Sequence, residues 1–158
     1  AMLMPVTTSP STAQRNRGCG CREFWETNVR TKTLGRLAVT NSEAITAISE
    51  VVRTYATAMV AGDRAELERI FFENASEVGH YEGELLWNSR DAFIRMCEDE
   101  GDKSAKAWWE IRNLSIHGDI ATAHVEDEWA GMRFDTILTL LLHEGAWRVV
   151  SKVYRIRS

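Results

Sequence analysis

Proline is nearly missing: of 158 residues only Pro5 and Pro10 are proline, and both fall in the first ten. A chain so built is not a Pro-rich linker, and its 44% hydrophobic residues are too many for a disordered protein. Cysteine is scarce and odd in number (Cys19, Cys21, Cys97), which excludes a disulfide framework and points to a reducing compartment, so a cytoplasmic location is expected. Cys19 and Cys21 stand too close for a zinc knuckle and have no second Cys/His pair beside them. The four histidines include no i, i+4 pair, so a metal site is not expected, and no other cofactor is expected either. No apolar run approaches the roughly 18 residues of a membrane span. A glycine-rich phosphate loop and a Gly-x-Ser-x-Gly elbow are both lacking, which disfavours phosphoryl transfer and serine hydrolysis.

Charge is unevenly spread. Residues 1–40 carry six Lys/Arg against Glu23 and Glu26, a net of +4, while the rest carries −8 of the total −4. An acidic domain has no phosphate-neutralising footprint, so nucleic acid is not an expected partner. Residues 1–40 lack a hydrophobic period and read as a basic, solvated extension; residues 41–158 hold the domain.

Helical signals come first in that domain. Thr40 to Glu43 has the form of a capping box, and Ile45, Ile48, Val52, Tyr55 and Met59 then recur at helical spacing until Gly62. Asp63 and Glu66 open a second helix with Leu67, Ile70 and Phe71 inward. Two short strands, Glu77–Tyr81 and Glu84–Trp87, flank the turn Glu82-Gly83, and Ser89 caps a third helix bearing Phe93, Ile94 and Cys97. From Ala107 the period becomes two. Trp109, Ile111, Asn113 and Ser115 are expected on one face, and Ala121, Ala123, Val125, Asp127 and Trp129 on one face of the next strand. Strands Phe134–His143 and Ala146–Ile156 follow across the turn Glu144-Gly145. Spacers this short close only antiparallel hairpins, so the fold class is α+β.

At these residues a resemblance emerges. Tyr55…Gly62-Asp63…Leu67…Phe71, Val78-Gly79-His80-Tyr81-Glu82-Gly83-Glu84-Leu85-Leu86, Phe134-Asp135 and Gly145 to Lys152 together resemble the nuclear transport factor 2-like superfamily. The resemblance spans about residues 41–156 and is nearest the branch called "putative lumazine-binding", beside the SnoaL-like polyketide cyclases. It implies a cone-shaped α+β barrel, three N-terminal helices on a curved, mixed, mainly antiparallel sheet. It also implies a cavity between helices and sheet, and a homodimer through the sheet. No catalytic set carries over from it residue by residue.

The candidate site is therefore read locally. Asp127 continues an apolar strand face, where lost hydration raises a carboxyl pKa and suits it to proton transfer. His80, beside Tyr81 in the first hairpin, is the second candidate acid or base. Tyr55, Tyr81, Trp87, Trp109 and Trp129 are the aromatic set able to wall a planar ligand, with plain core packing as the alternative. Asp135 faces either the cavity or a dimer surface, and Lys152 and Arg112 are read as solvated unless they hold an anion. Apolar residues on both faces of the Phe134–His143 strand (Leu138 and Leu140 against Ile137 and Leu141) call for a partner, independently favouring a homodimer. Three readings follow: a small-molecule-binding protein for a planar or apolar molecule, a cofactor-free lyase or isomerase using Asp127, or a homodimeric association domain without a ligand.

Overall fold

A computed structural model describes residues 41–157. The expectations for residues 1–40, including the extension, Cys19, Cys21 and the Thr40 cap, lie outside them. The elements run α1 (Asn41–Ala61), α2 (Arg64–Ile70), β1 (Phe71–Tyr81), β2 (Glu84–Ser89), α3 (Arg90–Glu100), β3 (Trp109–His117), β4 (Ile120–Trp129), β5 (Met132–His143) and β6 (Ala146–Ile156).

Helix α1 buries Ile48, Val52, Tyr55 and Met59 as their spacing predicts. Ile45 departs from the expectation and is 49% exposed, because the buried stripe is centred further round, on Ala44 and Val51. Gly62 takes φ +64° and closes the helix, with Asp63 N–H donating to the Ala58 carbonyl at 2.9 Å. Asp63 then caps α2 by accepting from Glu66 N–H at 3.2 Å, and Ser89 caps α3 by accepting from Ala92 N–H at 3.3 Å. Phe71, expected in the second helix, is instead the first residue of β1, although it is buried as expected. A Cβ on Gly62 or on Gly101 would come within 2.8 Å of the Cys97 carbonyl oxygen, so paired glycines let the C-terminal ends of α1 and α3 touch.

The three helices pack on a mixed, open, six-stranded sheet of order β2-β1-β6-β5-β4-β3. Every neighbouring pair is antiparallel except β1 and β6, which run parallel. Two bulges set which side chains face the helices. In β3, Ile111 pairs with Val125 and Asn113 with His124, leaving Arg112 as an extra residue. The alternation flips there, so Leu114 and Ile116, not Asn113 and Ser115, pack on the core with Trp109 and Ile111. In β6, Val149 pairs with Leu140 and Ser151 with Thr139, leaving Val150 extra. That second flip turns Lys152 and Tyr154 to the side already occupied by Trp147 and Val149, and all four are buried. The solvated strand face expected for Lys152 is thereby overturned.

Candidate functional site

Between α1, α3 and the inner face of the sheet lies a cavity of about 460 Å³. Met59 and Met96 line it from the helices, Trp129 and Phe134 from β4 and β5, and Tyr81 and Tyr154 from β1 and β6. Its polar lining is Glu77, Glu100, Asp127 and Lys152.

Asp127 reaches this place through strand alternation alone. Ala121, Ala123 and Val125 precede it on the buried face, and Asp127 itself is 1% exposed. Tyr55, fully buried on α1, donates its hydroxyl to Asp127 Oδ2 at 3.2 Å. No hydrogen bond from the described residues reaches Oδ1. Burial pushes the Asp127 carboxyl above its ordinary value, opposed by the nearby Lys152 charge and by the Thr136 and Tyr55 hydroxyls. Thr136 Oγ1 is close to the pair but is buried without a hydrogen bond of normal geometry. Tyr55 is driven well above the usual phenol range, first by burial and then by the Asp127 charge, so it stays a donor.

A second polar group shares the cavity floor. Asn88, Glu77 and Lys152 are paired directly across β2, β1 and β6, which places their side chains in one row. Lys152 Nζ donates to Glu77 Oε1 at 2.8 Å and Asn88 Nδ2 to Glu77 Oε2 at 3.0 Å, so both oxygens of a carboxylate only 2% exposed are satisfied. The ammonium also sits 4.5 Å from the Phe93 ring centre and 4.8 Å from that of Tyr154. Tyr154 can lie there because its strand partner is Gly79, where a Cβ would come within 2.6 Å of the Tyr154 ring and carbonyl oxygen. Burial raises the Tyr154 hydroxyl to about 12.

The structure thus brings Asp127, Tyr55, Tyr81 and Trp129 to one place. The remaining candidates lie elsewhere. Trp109 packs against the core outside the cavity, and Trp87 is 72% exposed on edge strand β2. His80 is exposed on the face of β1 opposite the cavity, since its neighbour Gly79 points inward. Asp135 also lies on that outer face, bonded to His124 Nε2 at 3.1 Å and to Arg155 at 2.7 Å. The His124 bond, more than any other contact, holds its carboxyl below the usual range. Arg112 pairs with Glu126 and Glu110. Among the described residues no cluster of His, Cys, Asp and Glu is placed to hold a metal ion.

Glu77, the inward Lys152, and the walls made by Phe134, Tyr154 and the methionines are not among the residues that the sequence singles out for the cavity. Glu77 had a visible signal in Ala75-x-Glu77-x-Gly79, a buried period of two. Lys152 had none, because the bulge at Val150 is not written in residue types.

Comparison with known proteins follows the same geometry. A family model described as "Putative lumazine-binding" matches residues 43–155. An NTF2-like protein of unknown function from Silicibacter pomeroyi DSS-3 is 66% identical, with a TM-score of 0.74, over 75% of this chain and 99% of its own. A second from Shewanella baltica OS155 is 26% identical, with a TM-score of 0.69, over 75% of this chain and 98% of its own. A ketosteroid isomerase-like protein from Erwinia carotovora atroseptica SCRI1043 shares the fold at 15% identity and a TM-score of 0.60, over 75% of this chain and 99% of its own. No curated protein matches the chain. With its cavity-forming helices and mixed sheet, the chain belongs to the "Putative lumazine-binding" family of the nuclear transport factor 2-like superfamily.

Proposed function

We propose that this domain binds a small, planar, largely apolar molecule in its cavity, with Asp127 as the polar anchor. The observation that carries the reading is one buried carboxylate, with an oxygen that no described residue hydrogen-bonds, on the wall of a cavity of about 460 Å³ with aromatic lining, a volume in the range of small-ligand pockets. The family description supports a small-molecule ligand. A domain that served association alone would have no use for a cavity its own side chains leave unfilled. No described helix is long and apolar enough to cross a membrane, and a cytoplasmic ligand pool fits the reading. A native mass spectrum of gently purified protein tests it. The expected result is an added small mass that is lost in Ala130→Trp, a change that fills the cavity rim. An added mass that survives this change, or none in any preparation, overturns it.

A second reading makes Asp127 a proton-transfer group of a cofactor-free lyase or isomerase. It is favoured by the raised carboxyl beside a phenol that stays protonated. The outer sheet face also supports a homodimer. Trp87, Val78, Val153 and Ile137 pair in one row across four strands, and three of them are exposed large hydrophobics.

A further inference from the structure

We infer that the molecule this cavity takes is an organic cation, a protonated amine or amidine on a planar apolar frame, seated against the Asp127 carboxylate. The inference rests on the cavity being a ligand site, and it adds the sign and position of the ligand's charge.

Charge in the lining is unbalanced. Glu77, Glu100 and Asp127 face a single cation, Lys152. The ammonium of Lys152 is bonded to Glu77 Oε1 and held against the Phe93 and Tyr154 rings, so its charge is balanced by Glu77 first. Glu77 has no oxygen to spare, since Asn88 occupies its second one. Asp127 differs. It is as deeply buried, yet among the described residues its one hydrogen bond of normal geometry is from the Tyr55 hydroxyl to Oδ2, with the Thr136 hydroxyl nearby.

A buried carboxylate in that state is costly when ionised, and a cation-bearing ligand removes the cost through a charge-assisted hydrogen bond. A neutral ligand leaves most of the cost in place. An anion would meet the Asp127 carboxylate and share the one ammonium that Glu77 already holds. The walls favour the same sign, because the faces of Trp129, Phe134, Tyr154 and Tyr81 attract cations. An adjoining recess of about 260 Å³ shares Glu100, Trp129 and Ala130 with the cavity and adds Asp102 and Glu128 against Lys106. The surface adjoining the cavity is therefore acidic too, which concentrates cations beside it.

Three matched bicyclic probes test the inference: 4-aminoquinoline, a cation at neutral pH, neutral quinoline, and the anion quinoline-4-carboxylate. Each is titrated into the full chain by calorimetry. The expected order is cation, neutral, anion, with the cation about tenfold tighter than quinoline, the value of a hydrogen bond to a charged group. In Asp127→Asn the cation's advantage falls to about threefold or less, with the fold checked by circular dichroism. If that variant does not fold, the ranking in the unaltered protein decides alone. Quinoline or the carboxylate binding as tightly as the amine overturns the cation assignment and leaves the ligand cavity standing. A preference unchanged in folded Asp127→Asn overturns it as well. No binding by any probe overturns the cation assignment and the ligand reading together.

Discussion

Asp127 pays for its position in a measurable way. A carboxyl whose folded pKa lies above its ordinary 3.8 binds a proton more readily in the folded than in the unfolded chain. Its contribution to stability is therefore fully present below the unfolded value and is lost as pH rises through the folded one. Asp127→Asn removes this loss while keeping an oxygen for the Tyr55 hydroxyl. The variant should be more stable than the parent at about pH 7.5 by on the order of 1 kcal/mol, a difference that vanishes near pH 4. Urea unfolding of both proteins across that range checks it, and an Asn variant less stable at neutral pH would show that the ionised carboxylate stabilises the fold. The same variant separates the two functional readings, because under the enzyme reading it folds and keeps its ligand but loses turnover. This residue was legible beforehand, since a charge in register with Ala121, Ala123 and Val125 stands out as soon as the strand is drawn. His80 and Trp87 were misleading for the opposite reason. Residue type made them attractive, but each lies on the outer face of a strand, and no residue type reports which face a short hairpin turns inward.

The parallel junction of β1 and β6 concentrates the polar chemistry of the cavity and two of its tests. Glu77 and Lys152 are exact neighbours across it and almost fully buried, so removing one charge strands the other. Lys152→Met should cost about 3–5 kcal/mol in denaturant unfolding, and the double change Glu77→Gln with Lys152→Met should recover most of that loss. Additive losses in the double variant would mean that the two side chains are not coupled. Two residues further on, Gly79→Ala drives a methyl into both the ring and the carbonyl oxygen of Tyr154. A cost of about 2 kcal/mol is expected, and Tyr154→Ala should not rescue it, because the backbone contact remains. Helices and caps were readable here because Asp63, Ser89 and Gly62 act on their immediate neighbours. The strands were readable in existence and order, but not in phase beyond a bulge. Arg112 and Val150 each add one residue to a ladder, and everything after them changes face. A strict period of two therefore misplaces Leu114 and Lys152, while it keeps Val125 and Asp127 in phase because β4 itself carries no inserted residue.

At the scale of the whole domain, the two faces of the sheet differ in what covers them. Helices cover one face and make the cavity. The other carries the transverse row Trp87, Val78, Val153 and Ile137, which continues through His124 to Asn113. Beside the row, Asp135 and Glu126 are gripped by His124, Arg155, Arg157 and Arg112. This network lines one flank of the apolar row with paired charges, and Ser76, Ser151 and Thr139 line the other, the arrangement of an association surface with a dry core and a polar rim. A two-fold axis across the row would set one chain's Ile137 and Val153 against the same residues of a second copy, so a single charged substitution would enter the interface twice. Ile137→Lys should therefore convert a dimer to a monomer in light scattering, with unfolding of the isolated chain changed by less than about 0.5 kcal/mol, as for an exposed site. Trp87, at the far end of the row, should matter less, and Trp87→Ala should weaken the dimer without abolishing it. Ligand binding in the monomeric variant then decides whether the faces are independent. Cavity residues come from strands whose opposite sides form the row, yet the inner and outer side chains alternate along each strand and do not share contacts with one partner surface. Affinity for the cation probe should accordingly survive Ile137→Lys unchanged, and a loss that accompanies dissociation would mean that pairing of the sheets holds the cavity open.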